Sequence, residues 1–331
     1  MEKHPVVSVA IPFYNQERYV SETLTSVLAQ KAEFDYEILC GDDHSADKTY
    51  SILEEFQKRD PGKVRIFSNP RNMGLVLNVK NIFENCRGKY IALLGGDDLF
   101  LDETKLQRQH DFLEKNVDYG LVHSDAQVWV EGSDGKKETY ESADTYFKRD
   151  VKTGYVFDDF LIKNFIIPST VLFRKELYDK HVDLQHYLSI GFQAEDTPMF
   201  LELARWSKFG YMAQPLTAYR VSAGTLSRPK DRKKAFLFYE SSFRGRRYFL
   251  DKYCTDPQTK KRFMEKYHSF SLKNAFEFRM PQRADESYQY LKKILKPDLR
   301  THLFYLGAKI WLIWIVVKML RQLTKPFRSR R

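Results

Sequence analysis

Residues 90–98 read Tyr-Ile-Ala-Leu-Leu-Gly-Gly-Asp-Asp, a short apolar run closed by two glycines and a pair of acids. The run has the length and composition of a buried strand, and Gly95-Gly96-Asp97-Asp98 marks where it ends. The same arrangement recurs upstream. Residues 7–11 (VSVAI) predict a strand ending in Pro12-Phe13-Tyr14-Asn15, and 36–41 (YEILCG) one ending in Asp42-Asp43-His44-Ser45. Helical patterns occupy 21–30, 47–59, 75–85 and 103–114, with a further strand at 64–68. Strands that recur after helices of this length imply βαβ units, hence a mostly parallel sheet with helices on both faces. Ligands of such sheets bind beyond the carboxyl ends of the strands, so the residues after each strand are the candidates for function. Acidic pairs gathered at one rim repel each other unless a cation or a hydrogen-bonding ligand lies between them.

The rest of the chain is less regular. Residues 128–140 predict a hairpin turned at Gly132-Ser133-Asp134-Gly135, 170–173 a strand and 197–206 a helix with Pro198 in its first turn. Helices are predicted over 232–253, 259–279 and 284–296. The 331 residues suit one large domain plus an appendage, and charge divides them. Residues 1–227 hold 27 Lys and Arg against 35 Asp and Glu (−8), and 228–331 hold 27 against 9 (+18), together the net +10. The expected domains are therefore 1–227 and a basic helical region, 228–331. A uniformly basic nucleic-acid binder would not divide this way, and the aromatic residues of the basic half fit helix cores better than a base-stacking platform.

A mean hydropathy of −0.53 argues against a polytopic membrane protein. The start of the chain has no secretory signal pattern, which places the protein in the cytoplasm or on the cytoplasmic face of its membrane. Cys40, Cys86 and Cys254 are odd in number and widely spaced, as expected of reduced thiols and not of a zinc site.

Each polar cluster has a chemical reading beside an ordinary one. A carboxylate at Asp42 or Asp43 can accept the imide N–H of uracil, or start a turn and cap the next helix. Asp97 and Asp98 are hard oxygen ligands suited to Mg²⁺ or Mn²⁺ with diphosphate, or an Asp-rich helix start. Asp196, with Glu195 as a second candidate, stands at the head of a helix, where it can take a proton from an acceptor hydroxyl or serve as a plain N-cap. Arg220, followed by Gly224, can pair with phosphate beneath a lid or make a surface ion pair.

Taken in order, these segments resemble the family-two glycosyltransferases, whose fold is the GT-A type, over residues 6–227. The opening 7–30 resembles that family's amino-terminal signature, 42–49 its uridine-binding turn, and Asn72-Met73-Gly74 with Asn78 the approach to the next helix. Residues 87–98 resemble its metal motif, and Ala194-Glu195-Asp196 the acidic pair whose Asp is the catalytic base. The resemblance implies an α/β, Rossmann-like GT-A domain with a helical carboxyl-terminal extension. It implies an inverting transferase that uses a nucleotide sugar, a UDP-sugar by preference, and a divalent metal, Mn²⁺ or Mg²⁺. Asp196 would be the base and Asp97 and Asp98 the metal ligands. Pro12, Tyr14, Asn15, Asp42, Asp43, Gly74, Gly96, Asp97 and Arg220 would hold the donor.

Two departures stand out. Gly95 occupies the first position of the usual Asp-X-Asp motif, which keeps open the alternative of a weak or inactive nucleotide-sugar-binding protein. The Gln-X-X-Arg-Trp motif of polymerising members is absent from the sequence, which implies transfer of single hexosyl or N-acetylhexosaminyl units. The expected acceptor is a glycan or a lipid-linked sugar in cell-surface polysaccharide synthesis. Residues 303–320 (LFYLGAKIWLIWIVVKML) carry Lys309 and Lys318 within an apolar run, which predicts a helix lying in the membrane surface, the alternative being a terminal helix packed on the carboxyl-terminal bundle or on a partner subunit. Arg321, Lys325, Arg328, Arg330 and Arg331 would then meet anionic headgroups.

Overall fold

The computed structural model describes residues 4–131, 137–221 and 231–323. The expected hairpin turn at 132–135, the loop containing Gly224, and Lys325, Arg328, Arg330 and Arg331 lie outside the described residues. The chain divides into two compact units, Met1–Phe249 and Leu250–Arg331. The charge break near residue 227 falls earlier than this division.

The first unit follows the predicted alternation through β1 (Val7–Phe13), α1 (Val20–Leu28), β2 (Tyr36–Asp42), α2 (Thr49–Arg59), β3 (Val64–Ser68), α3 (Leu75–Glu84) and β4 (Tyr90–Leu93). These four strands are parallel in the order β3-β2-β1-β4, with Val9 opposite both Ile38 and Ala92. Nearly every side chain of β1 and β2 is buried, as expected of strands covered on both faces. Val9, Ile11, Phe13, Ile38 and Tyr90 form the centre of the core, each contributing about 1.5–3 kcal/mol by burial.

Beyond β4 the sheet becomes mixed. The elements are β5 (Leu99–Phe100), α4 (Lys105–Lys115), β6 (Tyr119–Glu131), β7 (Lys137–Tyr140), α5 (Ala143–Phe147), α6 (Phe157–Ile162), β8 (Leu172–Arg174), α7 (Lys175–His181), α8 (Leu184–Ser189), α9 (Asp196–Trp206), β9 (Lys208–Val221) and α10 (Arg232–Tyr253). β8 runs antiparallel to β4 and to β6, while β6 and β9 are parallel. The expected hairpin is present as Glu131 opposite Lys137, but β6 starts nine residues before the predicted 128, at Tyr119. Its run Tyr119–Glu131 is almost wholly buried at first, so it lacks the alternation that marks a half-exposed strand.

The second unit is helical: α11 (Pro257–Phe278), α12 (Pro281–Ile294), α13 (Leu299–Lys309) and α14 (Trp311–Leu323). The single surface helix expected at 303–320 is corrected here. The chain breaks at Ile310 (φ −111°, ψ 112°). The reason is packing. Phe304, Ala308 and Val317 share one buried cluster with Leu272 and Phe276. On a straight helix Val317 would point about 180° away from Ala308, at ~100° per residue. Lys309 bonds Asp285 at 2.9 Å, Lys318 lies 3.8 Å from Glu277, and Trp314 donates its indole N–H to the Phe276 carbonyl at 2.9 Å. No described helix is long and apolar enough to cross a membrane.

Candidate active site

The strand order places the switch point between β1 and β4, because the chain leaves β1 for β2 on one side and reaches β4 on the other. A cleft of about 760 Å³ opens there. Its floor is Pro12, Tyr14 and Asn15 after β1 and residues 95–98 after β4; its far wall carries Glu195, Asp196 and α10. A larger cleft, about 900 Å³, lies at the opposite rim around Pro5, Tyr36, Lys63 and Arg87. It sits at the amino ends of the strands, and its core charge pair, Arg65 with Glu37, is already closed at 2.8 Å. The chemistry gathers in the first.

The loop after β1 is fixed by the loop after β2. The Asn15 N–H donates to Ser45 Oγ at 3.0 Å and Ala46 N–H donates to Asn15 Oδ1 at 2.8 Å. Gln16 and Glu17 N–H groups donate to Thr49 and Asp47 side chains, and Lys48 N–H donates back to Glu17. Asn15 (φ 50°) and His44 (φ 62°) are left-handed, a conformation these side chains tolerate better than most.

Asp42 and Asp43 stand apart from the two facing acidic pairs: both are buried and neither lines the cleft. Asp43 accepts from Asn69 Nδ2 (2.8 Å), Met73 N–H (2.7 Å) and Gly74 N–H (2.8 Å). It therefore holds the 72–74 segment, where Gly74 takes φ 86°. Asp42 accepts from Ser45 N–H at 3.2 Å, while its Oδ1 is buried without a partner. β2 is one strand removed from the switch point, and its turn folds back toward β3 and α3.

The β4 turn separates two adjacent acids. The Gly95 N–H donates to Ser169 Oγ at 2.9 Å, Ser169 Oγ donates to Asp98 Oδ2, and Arg220 N–H donates to Asp98 Oδ1 at 2.8 Å. Both Asp98 oxygens are thus engaged inside the protein. Asp97 keeps its carboxylate directed at the cleft with no side-chain partner among the described residues. The expectation of two metal ligands narrows to Asp97. Burial raises both carboxyl pKa values, that of Asp98 well above the usual range with Asp97 adding to it. Arg220 donates to the Asp97 carbonyl and to Glu22, and lies over the rings of Tyr19 (4.9 Å) and Trp129 (5.2 Å). Its donors brace the turn.

The two glycines have different tasks. A Cβ on Gly96 would lie 2.7 Å from the Pro12 carbonyl, so the close contact of β1 and β4 loops requires glycine. A Cβ on Gly95 would lie 3.0 Å from Asp98, 3.2 Å from Asp97 and 3.3 Å from Ser169. An acidic side chain there would crowd two carboxylates already destabilised by burial. One carboxylate with free oxygens, together with substrate phosphates and water, is the donor set a Mg²⁺-like ion accepts. The residues present fit such an ion through Asp97 alone.

Opposite stands the Glu195–Asp196 pair at the head of α9. Asp196 Oδ1 accepts from the Thr197 N–H at 2.6 Å, whereas Glu195 Oε2 is buried without a partner. Burial raises both pKa values; Glu195 reaches about 8, pushed further by Asp196, while Asp196 is held lower by its Thr197 bonds and by Arg246. The unpartnered Glu195 is the carboxyl that burial and the neighbouring Asp196 keep protonated at neutral pH.

Phe238, Tyr239 and Arg246 of α10 line this wall and belong to the stretch the sequence reading assigned to the basic extension. One signal was available: Gly245 in mid-helix costs about 1 kcal/mol against Ala, which marks a close approach. A Cβ there would overlap the Phe192 ring.

The switch-point cleft thus holds acids on two facing walls. Comparison with known proteins gives the family. The family model described as "Glycosyl transferase family 2" matches residues 8–182, more than half of the chain. The chain belongs to glycosyl transferase family 2.

An uncharacterised glycosyltransferase of Haemophilus influenzae is 29% identical over 230 residues, 69% of each chain. An uncharacterised protein of Mycobacterium tuberculosis is 33% identical over 171 residues, 52% of this chain, and the match spans 46% of that relative's length. Among solved structures, S. aureus TarS 1–349 in complex with UDP-GlcNAc aligns with TM-score 0.63 at 17% identity, covering 96% of this chain and 91% of that one. A mannosyltransferase from Pyrobaculum calidifontis in complex with GDP-Man and Mn²⁺ aligns with TM-score 0.60 at 14% identity, covering 99% and 83%. At these identities the structural likeness speaks for the fold.

Proposed function

We propose that this protein is an inverting glycosyltransferase that moves a single hexosyl or N-acetylhexosaminyl unit from a UDP-sugar to a glycan or lipid-linked acceptor in cell-surface polysaccharide synthesis. The observation that carries the reading is that Asp97 and Asp196, a hundred residues apart, line one cleft at the switch point. The donor lies along Pro12, Tyr14 and Asn15, with its diphosphate toward Asp97. Asp196 accepts the proton of the acceptor hydroxyl as that oxygen bonds to the anomeric carbon, from the face opposite the nucleotide. The bond from that carbon to the diphosphate oxygen breaks in the same step, and the nucleoside diphosphate leaves with its electron pair. Asp97 would hold a divalent cation, which would supply countercharge to the departing diphosphate. Arg220 keeps the Asp97 turn in place through its bond to the Asp97 carbonyl. Tyr14, Phe192, Tyr219 and Phe238 give the cleft an apolar lining that excludes water from the reacting atoms.

Nucleotide class and metal need are tested together by thermal melting with UDP-, GDP- and dTDP-sugars, each with and without Mn²⁺. A UDP-sugar with Mn²⁺ at about a hundred times its Kd stabilises by about 2.7 kcal/mol, a rise of roughly 4 °C in Tm. A melting curve indifferent to every nucleotide sugar would remove the transferase reading and leave the inactive alternative.

The protein is further proposed to rest on the cytoplasmic face of a membrane through α14, whose Trp311, Leu312, Val316 and Met319 are each at least half exposed. The adjoining sequence is strongly basic, the combination that seats a helix in an anionic interface. Replacing Leu312, Val316 and Met319 together by Ser leaves the buried Phe304, Ala308 and Val317 in place. It is expected to abolish sedimentation with phosphatidylserine vesicles; unchanged sedimentation would reject the docking face.

A further inference from the structure

We propose that Arg246 forms an oxyanion subsite on the acceptor side of the cleft, so that the acceptor carries a phosphoryl or carboxylate group beside the hydroxyl that is glycosylated. This rests on the transferase reading above and adds a substrate class to it.

The other inward-facing arginines of this protein are all well partnered. Arg149 donates to Asp125, Asp144 and the Phe165 carbonyl. Arg174 donates to the Tyr119 and Leu113 carbonyls and to Tyr90 Oη. Arg220 donates to Asp98 through its backbone and to Glu22 and the Asp97 carbonyl through its side chain. Each guanidinium is met by acceptors on at least two edges, as the cost of desolvating a charge demands.

Arg246 is the exception. Its Nε is buried with no acceptor, and Nη1 reaches the Ile162 carbonyl at 3.5 Å, the outer limit of a hydrogen bond. Among the described residues no carboxylate stands within ion-pairing distance of it. The cleft is lined by Arg246 and by Glu195, whose Oε2 is also orphaned. Burial brings the guanidinium pKa down to about 10, so it stays charged at neutral pH. A planar guanidinium whose Nε lacks an acceptor matches an oxyanion in two-point geometry.

Location assigns the ligand to the acceptor. The donor diphosphate belongs with Asp97 on the floor of the cleft, whereas Arg246 shares the wall of Asp196, whose charge is felt at the guanidinium. Whatever gives its proton to Asp196 must present its neighbouring groups to Arg246. The protonated Glu195 supplies a neutral O–H donor to the same oxyanion, while an ionised one would repel it.

The test is calorimetric titration of the full chain with sn-glycerol 3-phosphate, glucuronate, glycerol and glucose, run with saturating UDP and Mn²⁺ and again without them. At pH 7 the anionic probes are expected to bind at least tenfold more tightly than glycerol and glucose. The two anions tell phosphoryl from carboxylate. Arg246→Gln is expected to lose that preference, Arg246→Lys to keep part of it, and both to bind UDP like the parent. Equal affinity for charged and neutral probes would overturn the proposal, as would anion binding that survives in Arg246→Gln. A higher Tm for Arg246→Gln with unchanged anion affinity would show a structural charge alone, and also overturns it. UDP titration is a separate readout: its failure would count against the nucleotide-sugar reading, while the series without UDP still decides for or against Arg246.

Discussion

Asp196→Asn is expected to lower kcat for sugar transfer by about 10²–10⁴-fold while donor affinity changes by no more than a few-fold. The amide keeps the shape of the side chain, and its oxygen still accepts from the Thr197 N–H. It removes the carboxylate that the proposed function assigns as base. Glu195→Gln makes the contrast. Glu195 titrates near pH 8, so at pH 7 glutamine imitates its protonated form, and transfer at pH 7 is expected to stay within about tenfold of the parent.

The two Glu195 forms part company with pH. In the parent, ionisation of Glu195 through about pH 8 places a negative charge beside Asp196, and the rate profile bends there. Glu195→Gln loses that bend. Stability carries the same signature. The folded pKa is raised above the unfolded value of 4.5, so between the two the folded state holds a proton that the unfolded state has released. Stability from this group is full below the unfolded pKa and is lost as pH rises to about 8. The Tm of Glu195→Gln should therefore fall less than that of the parent between pH 5 and pH 9. A Tm difference independent of pH would place the proton elsewhere, and near-normal turnover in Asp196→Asn would remove Asp196 as base.

Asp97→Asn is expected to lower transfer by about 10²–10³-fold and to abolish the effect of Mn²⁺ on donor binding, with little change in Tm. Its carboxylate has no side-chain partner to lose, so a neutral amide costs the fold nothing beyond easing the repulsion with Asp98. Asp98→Asn is expected to behave in the opposite way. Its oxygens accept from Ser169 Oγ and the Arg220 N–H, and an amide group there puts an N–H against one of those donors. A buried mismatch of that kind costs about 1–3 kcal/mol, which lowers Tm by roughly 1–4 °C in a chain of this size. Calorimetric titration of a UDP-sugar with and without Mn²⁺, beside melting curves, separates the two roles. Metal-dependent donor binding that persists in Asp97→Asn would move the ligand to another residue.

Most of the first unit was legible because its strands and helices are short, regular and bounded by turn residues. The predicted strand at 64–68 is β3 as observed, and the other three parallel strands are displaced by one or two residues at one end. β6 was less visible: its buried first half has no alternation to betray it, and its partners β8 and β9 come from far along the chain. The reading of 303–320 as one helix failed because apolar content is blind to direction. Ile310 breaks the run so that Val317 can reach the core that Phe304 and Ala308 already share.

Local sequence places the acids relative to the strands: Asp97 and Asp98 after β4, Asp42 at the end of β2 with Asp43 after it, Glu195 and Asp196 at a helix head. That information is local, since periodicity and turn chemistry are properties of neighbouring residues. The tertiary structure alone decided which oxygens remain free. Asp98 is taken by Ser169, 71 positions away, and by Arg220, 122 positions away, whereas Asp97 is left open. Asp43 is taken by Met73 and Gly74, 30 and 31 positions away, and Arg246 reaches the acid wall on a helix whose Gly245 lets it close on Phe192. A carboxylate acts on a ligand only with a lone pair that no partner holds, and partners so distant in sequence are brought together by the packing of the sheet.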